Sequence, residues 1–456
     1  MLVQQFFVDG LAHSSYLLAG TDACAIVDPR RDVQVYIEAA RALDMKITHI
    51  LETHLHADFV SGHLDLAEMT GAIIYAPRAG GCKFPHVGLA EGDSFAIDNL
   101  LITVLDTAGH TPEHICYVVI DRERGEDPVG VFSGDTLFVG DVGRPDLFPG
   151  RAEELAAVLF DNLHRKILKL PDFCELYPAH GAGTLCGRSL GAKRTSTIGY
   201  ERKYNPALQI RDRREFITFL TTNMPPAPDH FSRCSAINRA GPALMRTLPF
   251  PEPMPPRVFM QRARDLGSVV VDVRPFDAFG AQHVPGAWNI DIRGNFSTYA
   301  GWTLSGDREL LLVAGDEAMV QEATVQLRRV GLDNVAGYLD GGMFAWSMAG
   351  LPGDNVPQLS PHRLQQMMAS RQEMIIVDVR SQQEFEVFHL AGAINIPAPD
   401  LRSRHTELPR DLPIVVICNS GVRSSLAASI LKRNGFENVM NVAGGTTGYA
   451  AATPSP

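Results

Sequence analysis

The segment ETHLHADFVSGH, Glu52–His63, decides the fold of this chain. A strand predicted over Ile47–His54 ends inside it and delivers His54. His56 and Asp58 follow at alternating positions, so in an extended chain these side chains converge on one face. Imidazole and carboxylate groups gathered at a strand end are typical of a metal site.

Three further clusters follow, each after an apolar run: GHTPEH with His110, SGD with Asp135, and YPAHG with His180. Up to about Thr222, short β-branched runs alternate with helical segments, which predicts a layered α/β architecture with ligands at strand ends. A lone histidine is usually a capping or core residue. Four His/Asp clusters in this order favour a single metal site instead.

The order THLHAD, GHT, SGDT and PAHG resembles the signature of the metallo-β-lactamase fold, an αββα sandwich with metal between the sheet edges. The resemblance covers about the first 200 residues. Two-metal members carry T-H-x-H-x-D-H, in which the Asp and the adjacent His bind a second ion. Here that His is replaced by Phe59, whose ring cannot bind metal. A binuclear zinc hydrolase is therefore disfavoured.

Within this fold, persulfide dioxygenases bind one non-haem Fe(II), and H-x-H-A-D-F-V-S-G-H resembles their form fused to sulfurtransferase domains. The resemblance implies one Fe(II) per chain, with the ligands His54, His110 and Asp135. Such a facial set leaves open positions for substrate and O₂. It also implies residues that orient the ligands or hydrogen-bond a water on the ion, namely His56, Asp58 and His180. Ligation by His56, as in zinc members, stays open.

The segment DVGRPDL, Asp141–Leu147, resembles the G-R-x-D loop with which persulfide dioxygenases bind a glutathione carboxylate. Arg144 would be the binding group, and Tyr177 matches a tyrosine lining the same pocket. The alternative for Arg144 is a surface ion pair. The glycine-rich continuation after YPAH is longer than the glutathione-specific pattern, so coenzyme A or another carrier thiol stays open. Cys186 lies there, as a buried thiol or a participant in persulfide transfer.

The chain repeats itself after a proline-rich stretch, Met224–Pro228 and Pro249–Pro256, which we expect to be a semi-rigid linker. Val269–Ile290 matches Ile375–Ile396 in V-D-V-R, H-x-x-G-A and N-I. Each copy alternates strands with helices, which predicts two tandem α/β domains with parallel sheets. The expected domains are 1–248, 257–353 and 360–452.

V-D-V-R, H-x-x-G-A-x-N-I and the late A-G-G resemble rhodanese domains, which are thiosulfate-type sulfurtransferases. The resemblance implies a catalytic Cys418, opening the loop Cys418–Arg423. Backbone N–H groups, a helix N-terminus and Arg423 would stabilise its thiolate. The central copy has Ala314 and Met319 in the corresponding positions, with acidic residues between them. We therefore expect that copy to be a structural spacer or a dimerisation module.

Composition restricts the remaining possibilities. The 456 residues are 45% hydrophobic and 20% charged, which indicates globular domains. A net charge of -11 excludes a generally basic surface for nucleic acid, and no apolar run approaches the roughly 20 residues of a membrane helix. Seven cysteines and no signal-peptide pattern favour the cytoplasm. We expect a homo-oligomer, dimer or tetramer, that binds neither nucleic acid nor membrane.

The sequence thus predicts a persulfide dioxygenase fused to a sulfurtransferase. The iron site would oxidise a thiol persulfide, of glutathione, coenzyme A or a similar carrier, with O₂ to thiol and sulfite. Cys418 would carry sulfur between thiosulfate, sulfite and a carrier thiol. Two alternatives stay open: a zinc thiolester hydrolase of the glyoxalase II kind, and a non-catalytic persulfide-binding scaffold.

Overall fold

The structure is a computed structural model that describes residues 1–188 and 190–452. The chain divides into two compact units. The first contains Met1–Leu248 with Arg328–Gly331, and the second contains Pro249–Leu327 and the chain from Leu332 on. Among the described residues, no helix has the length and apolar character needed to cross a membrane.

The first unit is built on two six-stranded sheets. One has the strand order β1-β2-β3-β4-β5-β6. Its strands are β1 Leu2–Val8, β2 His13–Ala19, β3 Ala23–Val27, β4 Lys46–Leu51, β5 Ile73–Pro77 and β6 Val87–Leu89. The other has the order β12-β11-β10-β9-β8-β7. Its strands are β7 Ser94–Ile97, β8 Leu100–Asp106, β9 Ile115–Asp121, β10 Pro128–Gly134, β11 Glu175–Pro178 and β12 Ser196–Thr197.

Helices pack around the two sheets. They are α1 Gln34–Ala42, α2 His63–Thr70, α3 Ala152–Arg165, α4 Ile198–Tyr204, α5 Pro206–Gln209, α6 Arg213–Thr221 and α7 His230–Ala240. In β8, buried residues alternate with partly exposed ones, and its buried face joins Leu18 and Val27 of the first sheet in one apolar core. Separate apolar clusters join the first sheet to α1 and α2, and the second sheet to α3 and α6. The predicted αββα sandwich is confirmed.

The second unit contains two five-stranded parallel sheets of the same topology, with the orders β13-β17-β16-β14-β15 and β18-β22-β21-β19-β20. The central copy consists of β13 Glu252–Met254, α8 Pro256–Ala263, β14 Ser268–Asp272, α9 Phe276–Ala281, β15 Trp288–Asn289, α10 Phe296–Thr303, β16 Glu309–Val313, α11 Glu317–Arg329, β17 Val335–Leu339 and α12 Gly342–Met348. The C-terminal copy consists of β18 Gln358–Leu359, α13 Pro361–Ala369, β19 Ile375–Asp378, α14 Gln382–Val387, β20 Ile394–Asn395, α15 Leu401–Arg404, β21 Ile414–Ile417, α16 Val422–Arg433, β22 Val439–Val442 and α17 Gly445–Ala452. The predicted parallel sheets are confirmed.

The proline-rich stretch departs from the linker prediction in its second half. Glu252–Met254 forms β13, which pairs in parallel with β17. β13 stands at the edge of its sheet, where a strand tolerates Pro253 because one side needs no backbone N–H donor. Part of the expected linker is therefore an element of the central domain.

Candidate metal centre and sulfurtransfer loop

Three side chains meet at the strand ends of the first unit. His54 follows β4, His110 follows β8 and Asp135 follows β10. Asp135 Oδ2 lies 3.3 Å from His110 Nε2 and 3.8 Å from His54 Nε2. All three side chains are buried, and one ligand atom from each lies within 4.8 Å of the other two. The fold thus brings together the ligand set predicted from the sequence.

Hydrogen bonds fix which ring nitrogen of each histidine faces the centre. His110 Nδ1 lies 2.8 Å from the carbonyl oxygen of Arg144, which can only accept, so Nδ1 carries the proton. Thr53 Oγ1 donates to Asp28 Oδ2 at 2.9 Å and therefore accepts from His54 Nδ1, also at 2.9 Å. Both rings consequently present an unprotonated Nε2, the form that binds metal.

The donor atoms fit a bound cation. His54 Nε2, His110 Nε2 and Asp135 Oδ2 are buried and have no hydrogen-bond partner. Such orphaned atoms are costly unless something binds them. Burial, followed by the neighbouring His56 imidazole, lowers the pKa of His54 well below its ordinary value, and burial also lowers the pKa of His110. Two neutral imidazoles and one carboxylate are a donor set that suits Fe(II) with open positions.

Asp135 is held in place by His180, which is itself bonded to Asp58. His180 Nδ1 bonds Asp135 Oδ1 at 2.7 Å, and His180 Nε2 bonds Asp58 Oδ2 at 2.8 Å. Burial disfavours a charged imidazole, but Asp135 and Asp58 outweigh it and raise the pKa of His180 well above its ordinary value. Asp58 and His180 therefore lie where the sequence predicted groups that orient a ligand.

His56 lies beside the centre rather than in it. Its Nε2 is 3.0 Å from Asp28 Oδ1, and with Asp28 and Glu52 it forms a separate buried group. Phe59 is fully buried and packs against the rings of His13 and His56, with centroid distances of 4.0 and 4.4 Å. At the position that corresponds to the last histidine of the T-H-x-H-x-D-H pattern, this chain has an aromatic packing contact.

A second set of donors lies next to the triad. This set consists of Asp58, His180 and Cys186. Each residue offers one possible ligand atom, and the three atoms lie within 4.8 Å of one another. Burial, together with the charges of Asp58 and Asp135, raises the pKa of the Cys186 thiol well above its ordinary value. Cys186 is therefore a buried thiol close to the centre, in surroundings that disfavour its thiolate.

Arg144 is buried, and four of its N–H donors are used within the protein. Its side chain makes a bidentate contact with Asp146 at 2.7 Å for each bond, and it donates to the carbonyl oxygens of Leu185 at 3.0 Å and Pro225 at 2.6 Å. These bonds hold the loop whose backbone orients His110. Binding of a substrate carboxylate by Arg144 stays a prediction.

Tyr177 is also engaged by protein groups. Its ring stacks on Phe132 at 5.1 Å and contacts Tyr16 at 5.5 Å within the core between the sheets. Its hydroxyl donates to a carboxylate oxygen of Glu175. Its predicted contact with substrate likewise stays a prediction.

A cleft of about 260 Å³ adjoins the triad. Its walls include Leu55 and Thr111, which are neighbours of the ligands His54 and His110 in the chain. Thr111 Oγ1 is buried without a hydrogen-bond partner. The other lining residues include Glu113, Leu147, Phe231 and Arg239, so the cleft is mostly apolar with one charge of each sign.

In the C-terminal domain, Cys418 follows β21 at the start of the loop that leads into α16. Its sulfur accepts hydrogen bonds from the Gly421 N–H at 3.1 Å and the Ser424 hydroxyl at 3.3 Å. Gly421 has a φ of 108°, which favours glycine. The sequence thus specifies a turn that directs donors toward the sulfur.

The charge of Arg423 is already paired. Its two terminal nitrogens bond the carboxylate of Glu384, each at 2.7 Å. Burial disfavours the Glu384 carboxylate, but Arg423 outweighs this and lowers the pKa of Glu384 to about 2. Arg423 therefore fixes the end of the loop to α14, a contact that the sequence pattern did not predict.

The central copy has no sulfur nucleophile at the equivalent place. Ala314 directly follows β16, as Cys418 follows β21, and it is buried. Met319 lies on α11, with its N–H bonded to Asp316 at 2.8 Å. The fold of the domain is retained without the catalytic group.

Sequence reasoning missed several residues that support the centre. His114 accepts the Asp135 N–H at its Nε2, at 2.9 Å, and is held on the other side by the hydroxyls of Thr107 and Thr136. His13 contacts Phe59 from β2. His114 could have been predicted, because it is the last residue of the GHTPEH motif. No sequence motif around His13 indicated that it lies near the centre.

The fold and the site together define a metallo-β-lactamase sandwich with a buried candidate metal triad, followed by two rhodanese-like domains. The model of the metallo-beta-lactamase superfamily matches residues 8–180, and that of the rhodanese-like domain matches residues 256–349 and 360–452. A solved metallo-beta-lactamase from Staphylococcus aureus subsp. aureus COL is 36% identical with a TM-score of 0.67, covering 74% of this chain and 98% of that one. The chain belongs to the metallo-beta-lactamase superfamily and carries two rhodanese-like domains after it.

Two kinds of relative match the first unit. The mitochondrial persulfide dioxygenase ETHE1 of Mus musculus is 29% identical over 255 residues, which are 54% of this chain and 88% of the relative. A hydroxyacylglutathione hydrolase of Rhodopseudomonas palustris (strain BisB18) is 32% identical over 217 residues, which are 47% of this chain and 76% of the relative. The first unit is homologous to both, so the choice of reaction depends on the site.

Proposed function

We propose that the first unit is a non-haem Fe(II) persulfide dioxygenase and that the C-terminal domain is a sulfurtransferase acting through Cys418. The first reaction converts a thiol persulfide, O₂ and water into the free thiol and sulfite. The observation that carries the proposal is the set of three buried, partnerless donor atoms of His54, His110 and Asp135. Phe59, in place of a second-site imidazole, supports a single ion.

The protein groups around the triad have distinct tasks in this proposal. When bound, Fe(II) supplies open positions at which the persulfide and O₂ meet. The Arg144 carbonyl and the Thr53 hydroxyl keep His110 and His54 in the metal-binding tautomer. His180 occupies Asp135 Oδ1 and leaves Oδ2 for the ion.

The cleft beside the triad supports a small thiol carrier as substrate. Apolar walls at Leu55 and Leu147 exclude water from the reacting sulfur, and Glu113 and Arg239 provide one negative and one positive group. A peptide-like zwitterion such as glutathione persulfide matches this charge pattern better than a polyphosphate carrier does. We therefore expect a lower KM for glutathione persulfide than for coenzyme A persulfide.

The C-terminal reaction is sulfur transfer through a Cys418 persulfide. Sulfite attacks the outer sulfur, a new S–S bond forms thiosulfate, and the bond to Cys418 breaks to leave its thiolate. The Gly421 N–H and the Ser424 hydroxyl are placed to stabilise that leaving sulfur. The two reactions share sulfite and persulfide, which gives the fusion a chemical reason.

Metal analysis and O₂ uptake test the first half of the proposal. Protein purified without added metal should contain about one iron per chain and consume O₂ when given glutathione persulfide. The rival activity, zinc-dependent thiolester hydrolysis, has support from the hydrolase relatives and from the neighbouring set of Asp58, His180 and Cys186. Two zinc ions per chain with anaerobic hydrolysis of a glutathione thiolester would establish the rival and overturn the dioxygenase.

A further inference from the structure

Helix α7, His230–Ala240, holds the loop that follows the candidate ligand His54. The side-chain amide of Asn238 makes three hydrogen bonds with the backbone of this loop. Its Nδ2 donates to the carbonyl oxygens of His56 at 2.9 Å and Phe59 at 2.8 Å, and its Oδ1 accepts from the Ser61 N–H at 2.9 Å. Asn238 is buried. One side chain thus fixes both ends of a segment that lies 177 to 182 residues earlier in the chain.

A second side chain of α7 holds the middle of the same segment. His230 Nε2 lies 3.2 Å from the carbonyl oxygen of Asp58. A carbonyl oxygen can only accept, so Nε2 carries the proton and donates. His230 is buried as well. The helix therefore pairs three carbonyl oxygens and one N–H of a buried segment, and such groups are costly when they are left without a partner.

The segment held by α7 carries Asp58, which connects it to the metal centre. Asp58 Oδ2 bonds His180 Nε2 at 2.8 Å, and His180 Nδ1 bonds Asp135 Oδ1 at 2.7 Å. All three side chains are buried. A shift of the backbone at Asp58 would therefore be passed through His180 to the candidate ligand Asp135. The position of that ligand depends on a helix that does not touch it.

The same helix forms part of the wall of the cleft beside the triad. Phe231 and Arg239 line that cleft, whereas His230 and Asn238 bond the loop. α7 thus contacts both the space proposed for the substrate and the loop that supports the ligands. The model of the metallo-beta-lactamase superfamily matches residues 8–180, so α7 lies outside the part of the chain that carries the superfamily motifs.

We propose that α7 is a positioning element of the metal centre. Asn238, together with His230, holds the backbone of the segment 56–61, keeps Asp58 bonded to His180 and so fixes the carboxylate of Asp135. Asparagine suits this role because one short side chain supplies two donors and an acceptor. The inference rests on the proposed metal site and deepens it, since it adds residues from a helix that the sequence motifs do not include.

The rate of metal loss tests the proposal without an assay of turnover. Asn238→Ala removes all three bonds, so release of the metal from the full-length protein to excess EDTA should become at least about tenfold faster, the usual effect of losing a group that orients a ligand. The rates are compared at a temperature at which circular dichroism shows every variant to be folded. Asn99→Ala, which removes an amide bond to Asp121 in the same unit, should equal the wild type. Equal release rates in Asn238→Ala and the wild type would overturn the proposal.

His230→Phe gives a second, milder variant, which keeps an aromatic ring and loses only the bond to the Asp58 carbonyl. Metal release should become about fivefold faster, as expected for one neutral hydrogen bond. This variant decides the matter if Asn238→Ala does not fold. An unchanged rate in His230→Phe would show that the hold of α7 on the loop does not reach the metal, and the proposal would fail.

A spectroscopic measurement separates positioning from general stability. Co(II) loaded in place of the native metal has visible absorption bands that report the geometry of its ligands. These bands should differ between Asn238→Ala and the wild type, and they should be the same in Asn99→Ala and the wild type. Identical bands in all three proteins would mean that Asn238 only stabilises the fold, and the positioning role would be overturned.

Steady-state O₂ uptake with glutathione persulfide shows which step the helix serves. We expect kcat to fall about tenfold in Asn238→Ala and KM to stay within about twofold, because the residues that line the cleft are kept. A higher KM with unchanged kcat would instead make α7 only a wall of the cleft. A wild type that binds metal but consumes no O₂ with any persulfide, combined with faster metal release in Asn238→Ala, would overturn the dioxygenase and leave the positioning role standing.

Discussion

His110 donates its Nδ1 proton to the backbone carbonyl of Arg144 at 2.8 Å. Arg144 in turn is fixed by its own side chain, which is bound to Asp146 and to two carbonyl oxygens. The orientation of one candidate ligand therefore depends on a loop that is 34 residues further along the chain. This dependence leads to predictions about both the metal and the loop.

The metal content should follow the triad. His110→Ala removes one of three ligands, so we expect iron to fall from about one per chain to a small fraction and O₂ uptake to be abolished. Elemental analysis and an oxygen electrode measure both. His86→Ala, on a histidine outside the site in the same unit, should keep both; retention of iron and turnover in His110→Ala would contradict the ligand assignment.

Arg144→Ala should destabilise the first unit. It leaves the Asp146 carboxylate and two carbonyl oxygens without their buried donor, which costs about 2–3 kcal/mol, or about 4–12 °C in Tm for a unit of this size. Differential scanning calorimetry measures the shift. An unchanged Tm combined with a higher KM for carboxylate-bearing persulfides would instead support Arg144 as the substrate anchor.

Phe59→His should raise the metal content. It adds an imidazole next to Asp58 in the chain, so a second ion gains a possible ligand and the metal content should move from about one toward two per chain. Phe59→Leu, which changes the ring without adding a donor, is the control. A metal content of one in both variants would show that the residue at 59 does not limit the second site.

Cys418→Ser should eliminate thiosulfate-linked sulfur transfer and leave O₂ uptake with supplied persulfide nearly unchanged, because the hydroxyl is a poor sulfur acceptor at neutral pH. The wild type should yield some thiosulfate from persulfide and O₂, and the variant only sulfite, as ion chromatography can measure. Cys24→Ser is the control at a buried cysteine outside both sites. Equal thiosulfate yields in Cys418→Ser and wild type would show that the loop does not carry sulfur.

The pair of Glu384 and Arg423 should stabilise the second unit in a pH-dependent way. The pKa of Glu384 is about 2 in the folded protein and 4.5 ordinarily, so its stabilisation is present above pH 4.5 and is lost as the pH falls toward 2. The Tm difference between wild type and Glu384→Gln should therefore shrink from pH 6 to pH 3. Glu386→Gln, on the same helix, is the control, and a difference independent of pH would contradict the pair.

Local patterns were sufficient to predict the sandwich and the three side chains that meet in the candidate metal centre. His54, His110 and Asp135 each follow an apolar run, and strand ends are where such a fold gathers its ligands. The repeat of V-D-V-R likewise predicted two domains of one topology. The edge strand Glu252–Met254 was not predicted, because a high density of proline is typical of a linker. An edge strand tolerates proline, since it needs backbone N–H donors on one side only.

The sequence by itself determined the elements, the order of the donors and the presence of Cys418 in only one of the two copies, because these depend on residue type and local spacing. Only the tertiary structure decided what each donor binds. The carbonyl that orients His110 and the carboxylate that pairs with Arg423 are far from their partners in the chain. Their contacts depend on how strands and loops pack, and neither composition nor spacing records that packing.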